Sequence, residues 1–393
     1  MVKSLNIGDR IEVEIGPIAH GGHFISRHNG QVVFVRHGIT GEKAIVEITS
    51  VSSKLAHGDA VEILEKSTER IEPACKYAIP GGCGGCDFQH IALSAQQKMK
   101  LDVVKDQFLR IGKIEVDPEM IIVEPKDGLH WRTRFDFAVS NNGHVGLYAS
   151  KTKKIIEIDE CLIGLKEINT PEVFNKKWNG DDRVRVAVSS SGQKNISRGK
   201  FTISGPSKLR EVIGENTYNI SSHSFWQSHI RAPKTLTDLS LDFMNLKPGD
   251  IVCDLYGGVG LFTMPIAEKI GNHGHVHLIE LSNQATRDAS KIFKGYNNVS
   301  IHKGSVDKKL RYIQDIDVIL LDPPRTGAGK IAIDQISSKK PRTIVYISCD
   351  PASLARDSRF LEDSGYSLDK ITAVDLFPMT HHIECVVKFV LKN

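Results

Sequence analysis

The clearest fold signal in the chain is IVCDLYGGVGLFTMPIAEKI at residues 251–270. Residues 251–255 are apolar except for Asp254, which is typical of a buried strand with a polar residue near its end. A glycine-rich turn follows, and the apolar side chains of residues 261–270 then recur at helical spacing. A strand, a tight turn and a helix in this order are typical of the first unit of a parallel sheet covered by helices. We therefore predict an α/β domain over residues 233–393.

The residues after this unit continue the alternation of strand and helix. Apolar strands are predicted at HVHLIEL, VILLDPP and TIVYISC, with helix-like segments between them. The pattern predicts a Rossmann-like, doubly wound sheet, in which ligands bind at the carboxyl ends of the parallel strands. Side chains that follow these strands are therefore the first candidates for a functional site.

The glycine-rich turn is a candidate cofactor loop. Gly257, Gly258 and Gly260 give the pattern D-x-x-G-G-x-G, which differs from the G-x-G-x-x-G loop of dinucleotide-binding domains. Glu280 ends the next strand, where a carboxylate can accept hydrogen bonds from both ribose hydroxyls of a nucleoside. The loop and Glu280 together favour S-adenosylmethionine as the cofactor. The alternative is a tight strand-to-helix turn that binds no ligand.

Two further strand ends bring reactive residues to the same edge. LDPPRTG supplies Asp322 and Arg325, and YISCDP supplies Cys349. The first motif resembles the Asp-Pro-Pro-aromatic motif of amino-methylating enzymes, but Arg325 stands where those enzymes place an aromatic residue. The sequence therefore argues against methylation of an exocyclic amine, and Cys349 indicates covalent catalysis.

Covalent catalysis by a cysteine suits the methylation of carbon 5 of a pyrimidine. Addition of a thiolate to carbon 6 makes carbon 5 nucleophilic, and a base must remove the carbon-5 proton before the thiolate leaves. Glu384, which opens an apolar strand in DLFPMTHHIECVVKFV, is the candidate base. We expect His381 and His382 to support the site. Cys253 and Cys385 lie inside apolar strands and are predicted core residues.

A second group of cysteines lies in CKYAIPGGCGGCDFQH. Cys75, Cys83 and Cys86 have the spacing C-x7-C-x2-C, and Cys161 is a remote fourth candidate. Four thiolates suit a [4Fe–4S] cluster, and they equally suit a tetrahedral zinc ion. The spacing alone leaves iron–sulfur and zinc open.

The first 66 residues indicate a small β-barrel. Segments that alternate apolar and polar side chains are separated by polar or glycine-rich turns, which predicts about four or five strands of an OB-like barrel. Its turns are rich in histidine and basic residues, which either form a solvated face or bind RNA. Residues 92–112 have helical spacing, and much of residues 120–232 is predicted to be strand.

Composition limits the class of protein. The 393 residues include 51 Lys and Arg against 47 Asp and Glu, and the net charge of +4 permits a polyanionic partner without requiring one. No apolar run reaches the roughly 18 residues of a membrane helix, and the first residues lack a signal-peptide pattern. Seven cysteines are too few for a disulfide scaffold. We predict a cytoplasmic, multidomain, monomeric protein without a membrane segment.

Seven stretches of the chain form a combined motif set: CGGCDFQH, WRTRFDF, SFWQSH, DLYGGVGLF, LDPPRTG, YISCDPASLARD and FPMTHHIE. Together they resemble the RNA uridine-5-methyltransferase family, the bacterial enzymes that make 5-methyluridine in tRNA and 23S rRNA. Residues 1–66 resemble the TRAM domain, an OB-like RNA-binding barrel. The resemblance implies a class I SAM-dependent methyltransferase domain over residues 233–393. It also implies a central α+β iron–sulfur and RNA-binding domain over residues 67–232, with helix 92–112 packed on the catalytic domain.

The resemblance implies roles for individual residues. Cys349 matches the nucleophile, Glu384 the proton acceptor, and Asp322 the carboxylate that meets uracil. Besides Asp322, the positions that match cofactor contacts are Gln227, Tyr256, Glu280 and Ser305. The positions that match the ligands of a [4Fe–4S] cluster are Cys75, Cys83, Cys86 and Cys161. The spacing between the first two of these cysteines is longer here than in the family.

The implied activity is the formation of 5-methyluridine in 23S rRNA or tRNA. One alternative is an RNA cytosine-5 methyltransferase, which shares the thiolate addition. Those enzymes place the cysteine after Pro or Thr, whereas here Cys349 follows Ser348. Another alternative is a non-catalytic iron–sulfur RNA-binding protein, and the intact glycine loop, Glu280 and Glu384 count against it.

Overall fold

The computed structural model describes residues 5–52, 54–179 and 183–392. The chain starts with a small barrel, continues through a strand-rich central segment and ends in a large α/β sheet. Within the described residues, no helix combines the length and the hydropathy that a bilayer crossing requires.

Six strands build the described part of the N-terminal barrel: β1 (Arg10–Glu14), β2 (Ile18–Ala19), β3 (His23–His28), β4 (Gln31–Arg36), β5 (Lys43–Val51) and β6 (Leu55–Glu65). Their order is β1-β5-β6-β4-β3-β2, and a backbone hydrogen bond from Gly16 to Ile25 brings β3 back to the end of β1. Alternate side chains point inward around Phe24, Val33 and Val35. Alternation in the sequence does not reveal β2, because that strand has only 2 residues.

The central segment contains a long helix and an antiparallel sheet. Helix α1 (Leu93–Gln107) continues into a π-helical turn (Phe108–Gly112). The elements that follow are β7 (Glu119–Ile122), β8 (Arg134–Val139), β9 (Val145–Tyr148), β10 (Ile155–Glu157), α2 (Pro171–Phe174), β11 (Val184–Val188), β12 (Lys194–Arg198), β13 (Phe201–Ser204), β14 (Lys208–Ile213) and β15 (Asn216–Ser221). The sheet has the order β10-β9-β8-β11-β12-β13, and β14 and β15 form a separate hairpin.

The C-terminal domain is the predicted doubly wound sheet. Its elements are α3 (Ala232–Met244), β16 (Ile251–Leu255), α4 (Thr263–Ile270), β17 (His275–Glu280), α5 (Asn283–Ile292), β18 (Val299–Lys303), α6 (Val306–Lys309), a 3-10 turn (Leu310–Tyr312), β19 (Val318–Leu321), α7 (Gly329–Ser338), β20 (Thr343–Ser348), α8 (Pro351–Asp363), β21 (Tyr366–Asp375) and β22 (Glu384–Leu391). The strand order is β18-β17-β16-β19-β20-β22-β21-β7, and only β22 runs antiparallel to its neighbours. From β16 the chain adds β17 and β18 on one side of the sheet and then β19 and β20 on the other. Sheets of this kind bind ligands at this switch point between β16 and β19.

Both faces of this sheet are covered, which explains the unbroken apolar run of β19. Along β19, Val318 and Leu320 pack into one core, whereas Ile319 and Leu321 pack into the other. Cys253 and Cys385 are fully buried in the second of these cores, so the predicted core position of both is confirmed.

Segments that precede residue 233 also pack onto the C-terminal domain. α1 and the π-helical turn lie against α8, and β7 adds a parallel strand beside β21. The β14–β15 hairpin is anchored by the Tyr218 hydroxyl, which donates to the Leu261 carbonyl at 2.9 Å, and by Ser221 N, which donates to Asp288. The packed body of the C-terminal domain therefore includes residues before the boundary suggested by the sequence. Packing between distant segments leaves no periodic signal from which to predict it.

Candidate active site

Three side chains with acid–base or nucleophilic chemistry meet at one edge of the C-terminal sheet. Asp322 follows β19, and Cys349 follows β20. Glu384 is the first residue of β22, which runs antiparallel to β20 with Cys385 paired to Ser348. Because of this antiparallel direction, the start of β22 lies at the edge where the parallel strands end.

These side chains line a cavity of about 850 Å³. The residues assigned above to catalysis or cofactor binding all line it: Gln227, Tyr256, Glu280, Ser305, Asp322, Cys349 and Glu384. Gln227 belongs to the loop after the β14–β15 hairpin, and its Nε2 lies 3.4 Å from Asp322 Oδ2. A cavity of this size lies within the range of small-molecule and cofactor sites.

The turn after β16 is held in a narrow geometry. Gly260 has a φ of +93°, and a Cβ atom there would lie 2.3 Å from the Phe293 ring. Glu280 Oε2 accepts a hydrogen bond from Gly258 N at 3.0 Å, and Glu280 Oε1 accepts one from Ser282 N. Both carboxylate oxygens of Glu280 therefore fix the loop and keep further lone pairs for a ligand.

Burial governs the charge of the two carboxyl groups in the cavity. Burial, and then the charge of Asp322, raises the pKa of Glu384 well above its usual value, and Arg325 opposes this shift. Burial, and then the charge of Asp254, raises the pKa of Asp322 to about 7. The pair therefore resists carrying two negative charges, and Glu384 is a strong base once it has lost its proton.

The Cys349 thiol is half-buried beside these carboxyl groups. Burial, and then the charge of Glu384, raises the pKa of this thiol to about 12, whereas Arg325 acts in the opposite direction. A thiol in this setting keeps its proton in the free protein. Arg325 is the neighbouring cation that favours the thiolate form.

Arg325 is a site residue to which the motifs assign no catalytic role. Its side chain lines the cavity, and its Nη2 lies 3.3 Å from His382 Nε2. Burial, and then the charges of His381 and Arg325, lowers the pKa of His382 to about 3, so the neutral ring can accept a hydrogen bond from Arg325. The sequence feature that could have identified a role for Arg325 is its position in the DPPR motif, three residues after Asp322 at the end of a strand.

Phe225 is another cavity residue that the sequence did not single out. It lines the cavity, yet its side chain is 74% exposed. An exposed aromatic ring at the mouth of a site suits stacking on a nucleobase. The sequence feature that could have identified Phe225 is the SFWQSH motif, in which it closely precedes Gln227.

His381 and His382 connect the site to a buried carboxylate. His381 Nδ1 lies 2.6 Å from Asp87 Oδ2, and Arg36 Nη2 of β4 lies 3.2 Å from Asp87 Oδ1. Burial acts to raise the pKa of Asp87, but the hydrogen bond and charge of His381, together with Arg36, lower it to about 2. The centroids of the two histidine rings are 4.0 Å apart, so the pair links Asp87 with Arg325.

A smaller cavity in the central segment is lined by the cluster candidates Cys75, Cys83, Cys86 and Cys161. All four are free cysteines. Gly85 N lies 3.4 Å from Cys83 Sγ, and Gln89 Nε2 lies 3.7 Å from Cys86 Sγ. Among residues 5–52, 54–179 and 183–392, no group of three or more His, Cys, Asp or Glu side chains is arranged to hold a metal ion. The four thiols thus share one cavity without forming a ready single-ion site.

Comparison with known protein families identifies two parts of the chain. Residues 207–392 match the family model of tRNA (Uracil-5-)-methyltransferase, and residues 5–61 match the TRAM domain. The second match covers most of the N-terminal barrel, so the TRAM prediction is confirmed.

Relatives extend the similarity over nearly the whole chain. An uncharacterized RNA methyltransferase of Streptomyces avermitilis is 35% identical over 425 residues, covering 97% of this chain and 98% of the relative. One of Corynebacterium glutamicum is 32% identical over 405 residues, covering 98% of this chain and 97% of the relative.

A solved structure with the same fold is that of Pyrococcus abyssi tRNA (uracil-54, C5)-methyltransferase in complex with S-adenosyl-L-homocysteine. It matches with a TM-score of 0.72 at 22% identity, covering 96% of this chain and 99% of that chain. The class I methyltransferase fold is thereby confirmed.

The motif set, the family model and the relatives that cover almost the whole chain agree with one another. The resemblance inferred from the sequence is therefore confirmed. This chain belongs to the RNA (uracil-5-)-methyltransferase family and is an enzyme of that family.

Proposed function

We propose that this enzyme methylates carbon 5 of uridine in structured RNA, with S-adenosylmethionine as the methyl donor. The observation that carries the proposal is the single cavity in which Cys349, Glu384 and Asp322 adjoin the glycine-rich turn and Glu280. The thiol and the carboxyl groups suit addition and proton removal, whereas the turn suits a nucleoside cofactor. Methyl transfer requires these two halves to be in contact.

The residues of the cavity fit S-adenosylmethionine. Glu280 would accept the ribose hydroxyls with the lone pairs left free by Gly258 and Ser282. Ser305 would contact the adenine, and Asp322 would lie near the methionine end, with further contacts from Gln227 and Tyr256. When bound, this cofactor supplies an electrophilic methyl group on a sulfonium.

Cys349 acts first, as the nucleophile. Its thiol releases its proton to water and its sulfur bonds to carbon 6 of uracil. The carbon 5–carbon 6 electron pair shifts toward the ring carbonyl as an enolate, which makes carbon 5 nucleophilic. Arg325 favours the ionised sulfur because its cation acts against the effect of burial on the thiol pKa. Asp322 would meet the polar edge of the uracil ring.

Glu384 acts last, as the base. After methyl transfer, carbon 5 carries both its original proton and the new methyl group. The Glu384 carboxylate takes the proton, the carbon 5–carbon 6 double bond forms again, and the bond from carbon 6 to sulfur breaks to release the Cys349 thiolate. Glu384 is only 4% exposed, and the raised pKa that follows from burial makes its carboxylate a stronger base.

The RNA partner must present its target uridine outside the base stack so that carbon 6 can reach Cys349. The central sheet offers exposed aromatic and basic side chains: the Arg183 guanidinium lies 5.5 Å from the Tyr148 ring centroid, and Phe201 is 74% exposed. Such side chains stack on unpaired bases and contact phosphates. We assign RNA recognition to this sheet and the TRAM barrel, and 23S rRNA or tRNA as the substrate.

We further propose that Cys75, Cys83, Cys86 and Cys161 bind a [4Fe–4S] cluster. The proposal is supported by the four thiols in one cavity and by the N–H donors of Gly85 and Gln89 near two of the sulfurs. Each thiolate of such a cluster binds a different iron, so the sulfurs need not converge on one point as they do around zinc. The cluster would tie the loop of the first three cysteines to Cys161 and so hold the central segment together.

Methylation of RNA transcripts tests the proposed reaction. The purified protein is incubated with labelled S-adenosylmethionine and unmodified 23S rRNA or tRNA transcripts, and the RNA is digested to nucleosides. We expect labelled 5-methyluridine. Labelled 5-methylcytidine would instead support the cytosine-5 alternative, and RNA binding without methyl transfer would support a non-catalytic protein.

A further inference from the structure

The turn between β2 and β3 of the TRAM barrel touches the loop that carries Cys349. His20 Nε2 lies 3.0 Å from Oδ2 of Asp350, the residue that follows Cys349. Asp350 is also the N-cap of α8, and its Oδ1 accepts a hydrogen bond from Ser353 N at 2.8 Å. The barrel and helix α8 therefore hold this carboxylate from two sides.

The same turn also encloses a space beside the nucleophile. A cavity of about 130 Å³ lies between barrel residues 18–22 and a wall that includes Cys349, Arg325 and His382. Gly22 leaves no room for a side chain, because a Cβ atom there would lie 2.5 Å from His381 Cβ. The barrel is thus seated directly on the active-site wall.

A second barrel contact reaches the same wall through Asp87. Arg36 of β4, which is 8% exposed, pairs with Asp87 at 3.2 Å, and Asp87 holds His381 at 2.6 Å. The barrel therefore reaches the active-site wall at two points, directly at Asp350 and through Asp87 at His381. Two fixed points define the seat of the barrel more closely than one contact can.

We propose that His20 is a positioning residue for Cys349, through which the seating of the TRAM barrel orients the nucleophile. This inference rests on the proposed function, in which Cys349 attacks the target base. It gives the barrel a part in the chemical step in addition to RNA binding. The ion pair supports it: Asp350 raises the pKa of His20, and His20 helps to lower the pKa of Asp350 to about 2 against the effect of burial.

Single-turnover methylation by the full chain at saturating RNA and cofactor tests this role. His20→Ala should lower the rate roughly tenfold, because a small misplacement of a reacting group slows reaction strongly. The Kd for RNA should change less than about twofold, since the lost interaction acts on the chemical step. His20→Gln keeps an N–H donor close to the position of Nε2 and should restore most of the rate. An unchanged rate in His20→Ala, or a loss of RNA affinity alone, would contradict the proposal.

Two further variants separate positioning from general damage to the barrel. Glu12→Ala breaks the ion pair with Lys43, which is 2.7 Å long and about half exposed, and should leave the rate unchanged. Asp350→Asn keeps a cap oxygen for α8, and in that background His20→Ala should cost much less than in the wild type. An undiminished loss in that background would show that the effect does not pass through Asp350.

Cys349→Ala, measured in the same assay, separates failure of this inference from failure of the proposed function. If Cys349→Ala loses methyl transfer while His20→Ala keeps the wild-type rate, the positioning role alone is wrong. If Cys349→Ala keeps methyl transfer, the proposed function itself is wrong.

Discussion

Burial raises the pKa of both Cys349 and Cys161 to about 12, and each thiol has a nearby arginine, Arg325 or Arg132, that acts in the opposite direction. Their other neighbours differ. Cys349 shares its cavity with Asp322, Arg325 and Glu384. Cys161 shares its cavity with three further cysteines. Two buried carboxyl groups beside a thiol can assist the making and breaking of a bond to carbon, whereas a group of thiols suits the shared ligation of metal.

The difference teaches that the surroundings of a cysteine, and not its own ionisation, assign its role. If this is correct, the two sites can be disabled separately. Loss of the nucleophile should leave the cluster intact, and loss of a cluster ligand should leave the reaction of the nucleophile largely intact.

The largest expected effect comes from Cys349→Ala. Methyl transfer should fall by about 10⁴-fold or more, since the remaining groups cannot form the bond to carbon 6. The measurement is label transfer from S-adenosylmethionine to RNA, with iron content determined on the same sample and expected to be unchanged. Cys253→Ala, which alters a core thiol, is the control and should keep its activity. Turnover by Cys349→Ala at the wild-type rate would refute the assigned role.

Glu384→Gln should stop the reaction one step later. Release of methylated RNA should slow by about 10³-fold, because an amide cannot take the carbon-5 proton. RNA that carries the new methyl group should therefore remain bonded to Cys349, and a denaturing gel detects this complex. Normal product release without a trapped complex would mean that another group is the base.

A buried ion pair beside the catalytic site should have the next largest effect, on stability. Lys100 of α1 and Asp375 of β21 are 2.7 Å apart and only 1% and 3% exposed. Lys100→Met leaves Asp375 buried without its cation and should lower the free energy of unfolding by about 3 kcal/mol. Urea unfolding measures this.

The matched control for this variant is Lys234→Met. It breaks the exposed Lys234–Asp238 ion pair, which has the similar length of 2.6 Å. This change should cost about 0.5 kcal/mol or less. Equal losses in the two variants would mean that burial does not strengthen the Lys100 pair.

Cys161→Ala should have the smallest effect on the reaction. The variant should lose most of its iron and acid-labile sulfide, while its rate of methyl transfer falls less than about tenfold, because the cluster acts through the fold. Metal and sulfide analysis after anaerobic reconstitution measures the loss of iron and acid-labile sulfide, with Cys253→Ala as the control. One zinc ion per chain in the wild type would support zinc as the bound metal. Full iron retention by Cys161→Ala would exclude Cys161 as a cluster ligand.

The part of the active site that could be predicted from the sequence is the part encoded locally. Asp322 and Cys349 stand immediately after unbroken apolar runs, and the ends of parallel strands meet at one edge of a sheet. Glu384 depends on the antiparallel direction of β22, which no local pattern records. Its place at the start of an apolar strand nevertheless made it the candidate base, and the resemblance to the family implies the same role.

Periodicity could not predict contacts between distant segments, and the packing of helix 92–112 on the catalytic domain was expected only from the resemblance to the family. His20 and Asp350 are 330 positions apart, and Lys100 and Asp375 are 275 apart. Periodicity describes how one segment is buried but not which other segment covers it. For the same reason, the sequence missed the packing of the β14–β15 hairpin on the catalytic domain.

Covalent trapping with RNA that contains 5-fluorouridine tests the central claim most directly. In 5-fluorouridine, a fluorine replaces the carbon-5 hydrogen, and a base cannot remove fluorine in the way it removes a proton. The enzyme should therefore remain bonded to the methylated base. We predict a stable protein–RNA complex that requires S-adenosylmethionine, that peptide mass spectrometry locates at Cys349, and that Cys349→Ala does not form. A complex at another residue, or methylated RNA released without any complex, would contradict the account.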